Sequence, residues 1–135
     1  MKYLIDTCIV SYFVRGEPLV LERIKSTSPN EICISAITYM EIEFGLALNA
    51  TRAKKLRPVM QHFLSSINLL PFTKEDAHYA ANIRAKLQKL GNPIGAYDVL
   101  LAGCALSRDL IFVTANTKEF HRVSGLQVEN WMSAP

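Results

Sequence analysis

The chain has 135 residues, 50% of them apolar and 20% charged, with a formal charge of +3. That is the length of one ordinary domain with enough apolar residues for a core, and it excludes a chain of disordered composition. The mildly positive balance permits a polyanionic partner without demanding one, and the most apolar stretch, Val99–Leu106, is far too short to span a membrane.

Tyr3–Ile5 reads as a short buried strand, followed by a helix over Ile9–Val14 that stops at Gly16. Pro18 can open a second helix through Leu19–Ile24, which ends in the turn "STSPN". Glu31–Ala36 is β-branched and strand-like. Ile37, Met40, Phe44 and Leu48 then recur at helical spacing, and Ala53–Leu64 forms a helix with a basic face. Ile67–Leu70 is a strand before Pro71. Asp76–Leu90 is a helix with Ala80, Ile83, Leu87 and Leu90 on one stripe, stopped by Gly91-Asn92-Pro93. An apolar helix over Ala96–Ser107, a strand "LIFV" over Leu110–Val113 and a tail with Leu126–Val128 and Trp131 complete the chain.

Short apolar strands alternating with helices predict an α/β domain, a parallel sheet with helices on both faces, over residues 1–135. No repeat or linker interrupts it. Cys8, Cys33 and Cys104 are odd in number, widely spaced and free of any CxxC, so neither a disulfide framework nor a zinc knuckle is expected. They read as core fillers in a reducing cytosol. Asp6 arrives too early for a signal peptide.

In such folds the functional residues lie beyond the C-terminal ends of the strands. Asp6 follows the first strand directly, Glu41 lies about a turn into the helix after the second, Asp98 opens the apolar helix, and "VTAN" puts Thr114 and Asn116 after the fourth. Each has an ordinary alternative. Asp6 and Asn116 could cap helices, Glu41 could be solvated, and Asp98 could favour a helix dipole. Yet Asp6, Glu41 and Asp98 all stand among apolar neighbours with no basic residue beside them. Charges so placed are costly unless paired or bound to a cation. An all-oxygen set suits Mg²⁺ or Mn²⁺ over zinc, and such chemistry requires no histidine base. His62, His78 and His121 read as surface or packing residues.

The stretches "YLIDTCIVSYFV", "ISAITYMEIEFGL", "IRAKLQKLGNPIGAYDVLLAGCALSRDLIFVTANTKEF" and "LQVENW" resemble PIN-domain nucleases and, more narrowly, VapC-type toxins of bacterial toxin–antitoxin modules. The likeness covers nearly the whole chain in order and spacing. It implies a three-layer α/β/α domain around a parallel sheet of four to five short strands. It implies a cytoplasmic Mg²⁺/Mn²⁺-dependent endoribonuclease leaving 5′-phosphate and 3′-hydroxyl ends. Such a protein is usually a homodimer and is inhibited by a VapB-type antitoxin. The family's acids fall on Asp6, Glu41 and Asp98, which would hold the metal; the fourth acid position is here Asn116, with Glu119 three residues on as the alternative carboxylate. Position 8 is Cys where many relatives have Asn, and Thr7 and Thr114 are expected to support the acids through their hydroxyls.

Cations that could meet RNA are Arg52, Lys54, Lys55 and Arg57 on one helix and Arg84, Lys86 and Lys89 on another. They would position phosphates without reading sequence, so substrate choice would rest on RNA shape, with the tRNA anticodon arm the expected target. Leu19–Ile24 and Ala53–Leu64, with Phe63 and Leu64, are expected to help form an antitoxin groove or dimer face, or else ordinary core. Three competing readings stand beside this one. A dehalogenase-type phosphatase would need a second Asp where Cys8 stands. The others are a non-catalytic PIN module that binds RNA or a partner, and a housekeeping RNA-processing nuclease.

Overall fold

The structure is a computed structural model that describes residues 1–133. Strand β1 (Tyr3–Ile5) is followed by α1 (Thr7–Val14), α2 (Pro18–Lys25), β2 (Ile32–Ser35), α3 (Ala36–Ala47), α4 (Ala50–Ser66) and β3 (Asn68–Leu70). Then come α5 (Lys74–Lys89), α6 (Ala96–Ser107), β4 (Ile111–Val113), α7 (Thr117–Phe120) and β5 (Val128–Glu129). The five strands pair in the order β3-β2-β1-β4-β5, all parallel.

The strands are only two to four residues long, yet their period-2 alternation builds three layers. Tyr3 and Ile5, Ile32 and Ile34, and Val113 enter a core beneath α1–α4, where Trp131 also lies. Leu4, Cys33 and Phe112 point the other way, into a core under α5 and α6. Both faces are covered, which is why the strands read as unbroken apolar runs. Burying a large side chain of this kind stabilises by about 1.5–3 kcal/mol.

Helix starts are written locally. Asp6, Ser35 and Asn49 cap α1, α3 and α4 with their side chains, and Thr73 with Asp76 forms a reciprocal capping box at α5. Helix α5 packs closely on α6 at Gly103. A Cβ there would lie 2.8 Å from the Cβ and backbone N of Ala80 and from the carbonyl of Asp76.

Two expectations change. The spacing Ile37, Met40, Phe44, Leu48 does not mark the buried face of α3. Thr38, Ile42 and Leu46 are buried instead, while Met40, Phe44 and Leu48 are 40%, 60% and 72% exposed. Helix α3 is apolar nearly all round, so periodicity alone could not choose its inner face. Conversely, Phe63 is buried against Phe13, and Leu64 packs on the same core. Phe63 thus belongs to ordinary core and Leu64 is half-buried at its edge, because Ala53, Leu56 and Met60 of α4 pack on the same core; of α2, Leu19 remains exposed.

Candidate active site

The chain leaves β1 toward β2 on one side and returns to β4 on the other. The C-terminal ends of β1 and β4 therefore flank the topological switch point, where open α/β sheets bind ligands. Asp6 sits there. Its backbone N–H donates to the Val113 carbonyl at 3.0 Å, extending the ladder by one residue. Its Oδ1 accepts from the Ile9 N–H at 3.0 Å and from the Cys8 thiol at 2.9 Å. The capping role and the rim position thus coexist in one carboxylate. Burial pushes its carboxyl above the ordinary range, against hydrogen bonds from Cys8, Thr114 and the Ile9 N–H that pull it down.

Glu41 projects from α3, and its Oε1 accepts from Thr7 Oγ1 at 2.8 Å, which ties α3 to the first turn of α1. The expected hydroxyl support is therefore present at Thr7. Thr114 is fully buried, and its Oγ1 accepts from the Asn116 N–H at 3.0 Å as well as supporting Asp6.

Asp98 lies in the first turn of α6 and folds back over Gly95, where a Cβ would come within 2.8 Å of its Oδ2. A side chain at position 95 would push that carboxylate out of this position. Glu119, from the one-turn α7, accepts from the Gly95 N–H at 2.9 Å through Oε1 and from the Asn116 amide through Oε2. Asn116 does not cap α7 with its side chain. The two alternatives for the fourth position are thus bonded into one unit: Glu119 brings the charge and Asn116 holds it.

The Asp98 carboxyl is pushed up to about 6, first by burial, then by the charge of Glu119 and a shared hydrogen bond, then by the charges of Asp6 and Glu41. The structure thereby brings Asp6, Glu41, Asp98, Asn116 and Glu119 to one rim. Among the described residues, no cation forms an ion pair with any of these acids. Among the described residues, no three or more His, Cys, Asp or Glu side chains are grouped closely enough to hold a metal ion as they stand; Glu41, Asp6 and Glu119 are each held by a partner of their own. The donors nevertheless fit a hard divalent cation in chemical type: they are all oxygens, mutually repelling, and one is driven toward its neutral form by burial and then by the charges of its neighbours.

Cys8 packs against the core beneath α1–α4, as expected, but does more than fill it. It is half-buried, and its thiol serves as a donor to Asp6; burial, with the Asp6 charge, pushes it up to about 12, so it stays protonated. Cys33 and Cys104 are buried as expected. Gly95 was missed by sequence reasoning, although "NPIG" just before the acid-bearing helix was the available signal. His62, His78 and His121 are exposed, in keeping with the surface reading.

The cations are sorted by the fold. Arg52 lines a groove that begins at Thr7 and Glu41. Arg57 is taken by Glu43 at 3.2 Å, and Arg84 lines a largely apolar cavity of about 380 Å³ with Pro93 and Ile94. Lys54, Lys55, Lys86 and Lys89 are exposed.

The family model for the PIN domain matches residues 3–126. The tRNA(fMet)-specific endonuclease VapC of Shigella flexneri is 35% identical over 97% of this chain and 98% of that protein. The ribonuclease VapC2 of Haemophilus influenzae is 34% identical over 98% of this chain and 99% of its own length. Among solved structures, DNA-bound VapBC of Salmonella typhimurium superposes with a TM-score of 0.90 at 32% identity, covering 97% of this chain and 98% of that one. Five parallel strands, acids gathered at the switch point and likeness over nearly the full length place the chain in the PIN-domain family, among the VapC ribonucleases of toxin–antitoxin modules.

Proposed function

We propose that this VapC-family chain, acting as one PIN domain over residues 1–135, is a Mg²⁺- or Mn²⁺-dependent endoribonuclease that cuts structured RNA and so blocks translation. A tRNA anticodon arm is the target class, a reading supported by relatives named as tRNA(fMet)-specific endonucleases. A VapB-type antitoxin restrains it in a toxin–antitoxin assembly built on a homodimer, a reading supported by similar structures solved as VapBC complexes. The observation that carries the proposal is the gathering of Asp6, Glu41, Asp98 and Glu119 at the switch point with no cation paired to them.

Asp6, Glu41 and Asp98 would hold the ion, with Glu119 beside them. Such an ion supplies Lewis acidity toward phosphate oxygens and lowers the pKa of water. The residues do the positioning. Thr7 fixes the Glu41 carboxylate, the Ile9 N–H and the Cys8 thiol fix that of Asp6, and the Gly95 N–H and Asn116 fix that of Glu119. Asp98 keeps its proton on the carboxyl until about pH 6, so its binding-competent form accumulates above that pH. Preorganised groups aimed at developing charge are the main source of catalysis in phosphoryl transfer.

The test is expression of wild type beside Asp6→Asn, with growth and RNA 5′ ends followed together. Asn keeps the shape but lacks the charge, so the variant is expected to lose toxicity and cleavage by about 10³-fold or more. Equal toxicity would sink the assignment of Asp6, and 5′-end sequencing identifies the target.

A further inference from the structure

A groove of about 170 Å³ runs outward from Thr7 and Glu41. One wall is α1, which presents Thr7, Ser11 and then Arg15 at four-residue spacing. Residues four apart share a helix face, so Arg15 lies roughly 12 Å along the axis from Thr7 on that face. The groove is also lined by α3 and by the start of α4, which presents Arg52 one turn inside its Asn49 cap.

Arg15 is already set in place. Its Nε donates to the Ser11 carbonyl at 3.4 Å, and its guanidinium lies 5.1 Å from the centre of the Tyr12 ring. Among the described residues its terminal nitrogens have no hydrogen-bond partner, and neither Arg15 nor Arg52 forms an ion pair with a carboxylate. Arg57 differs, being neutralised by Glu43. Two guanidinium groups from different elements lining one groove, with the Glu41 carboxylate at its other end and no ion-pair partner of their own among the described residues, suit an anion that approaches the acids without displacing them. A guanidinium fork matches phosphate geometry, and a side chain held in advance loses less entropy on binding.

We infer that Arg15 and Arg52 form a phosphate-binding arm that grips the RNA backbone along the Thr7–Ser11–Arg15 groove, beside the scissile bond and not at it. This rests on the ribonuclease reading above. Arg15 and Arg52 are substrate-positioning residues, and they act on binding more than on the chemical step.

The experiment uses the full chain with bulk tRNA and a labelled single-stranded RNA as probes. Binding is measured across a salt series in Arg15→Ala, Arg52→Ala, the double variant and Arg15→Lys. Lys25→Ala is the control: it removes one charge from the far end of the sheet, near Pro29 and Ile32. Each alanine variant is expected to weaken binding about ten-fold and to lower the slope of log K against log salt by about 0.7. The double variant combines both losses, Arg15→Lys keeps the slope, and KM rises while kcat stays within about two-fold. Alanine variants whose salt slope equals that of wild type, or a Lys25→Ala variant that loses as much as Arg52→Ala, would overturn the arm alone. A wild type that neither binds nor cuts either RNA would overturn the ribonuclease reading, and the arm with it.

Discussion

A lone buried acid and a cluster of acids sit at opposite ends of α6, and among the described residues only the lone acid is paired with a cation. At the C-terminal end, Asp76 is fully buried. It accepts from Ser107, from Arg108 and from the Thr73 N–H at 2.8 Å, while Arg108 also donates to the Pro71 carbonyl at 3.0 Å. Burial alone would push the Asp76 carboxyl up, but the hydrogen bonds from Arg108, Ser107 and the Thr73 N–H hold it below its ordinary range. At the N-terminal end, Asp98 is less buried, yet it is pushed up to about 6 by burial and by the acids Glu119, Asp6 and Glu41. A buried carboxylate is therefore no sign of function by itself. The cluster proposed as functional is the one whose charge no cation compensates among the described residues.

That contrast can be broken at several points. Asp76→Ala strands the Arg108 guanidinium and should destabilise by about 3 kcal/mol, the low end for a broken buried pair because Arg108 keeps part of its hydration. Urea unfolding reads the loss. The folded carboxyl lies below its unfolded value, so this stabilisation is present above about pH 4 and fades as pH falls further. The gap between wild type and variant should close in acid; a gap independent of pH would mean that the ion pair is not its source.

Gly103→Ala tests the same end of α6 through packing. The added methyl meets backbone atoms of α5 at 2.8 Å, which cannot move aside without shifting the helix. A loss of about 1–3 kcal/mol is expected. Gly45→Ala in α3 has nothing within 4 Å and should gain about 0.5–1 kcal/mol. Thermal melts of the two variants should move in opposite directions.

At the functional end, Mn²⁺ should stabilise the wild type by about 1.4 kcal/mol when present at ten times its dissociation constant. Asp6→Asn should show little of this shift. A calorimetric scan with and without the ion distinguishes them, and equal shifts would place the ion elsewhere.

The last comparison concerns Asp98. Its folded carboxyl lies above its unfolded value, so the fold loses stability as pH rises from about 4 to 6 and gains none of it back above. Asp98→Asn in chelator should therefore melt at the same temperature as wild type in acid and higher at pH 8. A variant that melts lower at pH 8 would show that the charge is already compensated.

The sequence carried the order of elements because it is written in local terms. Apolar triplets with β-branching mark β1 and β2, and Asp6, Ser35, Asn49 and Thr73 cap the helices that follow. The rule that sites lie beyond strand C-termini then singled out Asp6, Glu41, Asp98 and the "VTAN" end, all of which the fold brings to one rim. Less legible was α3, whose nearly all-round apolarity gave no inner face, and Cys8, whose apolar neighbours hid a hydrogen bond to Asp6.

What the sequence determined by itself is the set of elements, their parallel arrangement and the identity of the acids, since these follow from periodicity, capping chemistry and residue type. What only the tertiary structure decided is which charges find partners. Asp76 meets Arg108 across 32 residues, Arg57 meets Glu43 across 14, and Glu119 reaches the Gly95 backbone across 24. Among the described residues, Asp6, Glu41 and Asp98 meet no cation. Compensation of a charge depends on distance and burial in three dimensions, and neither can be read from neighbours along the chain.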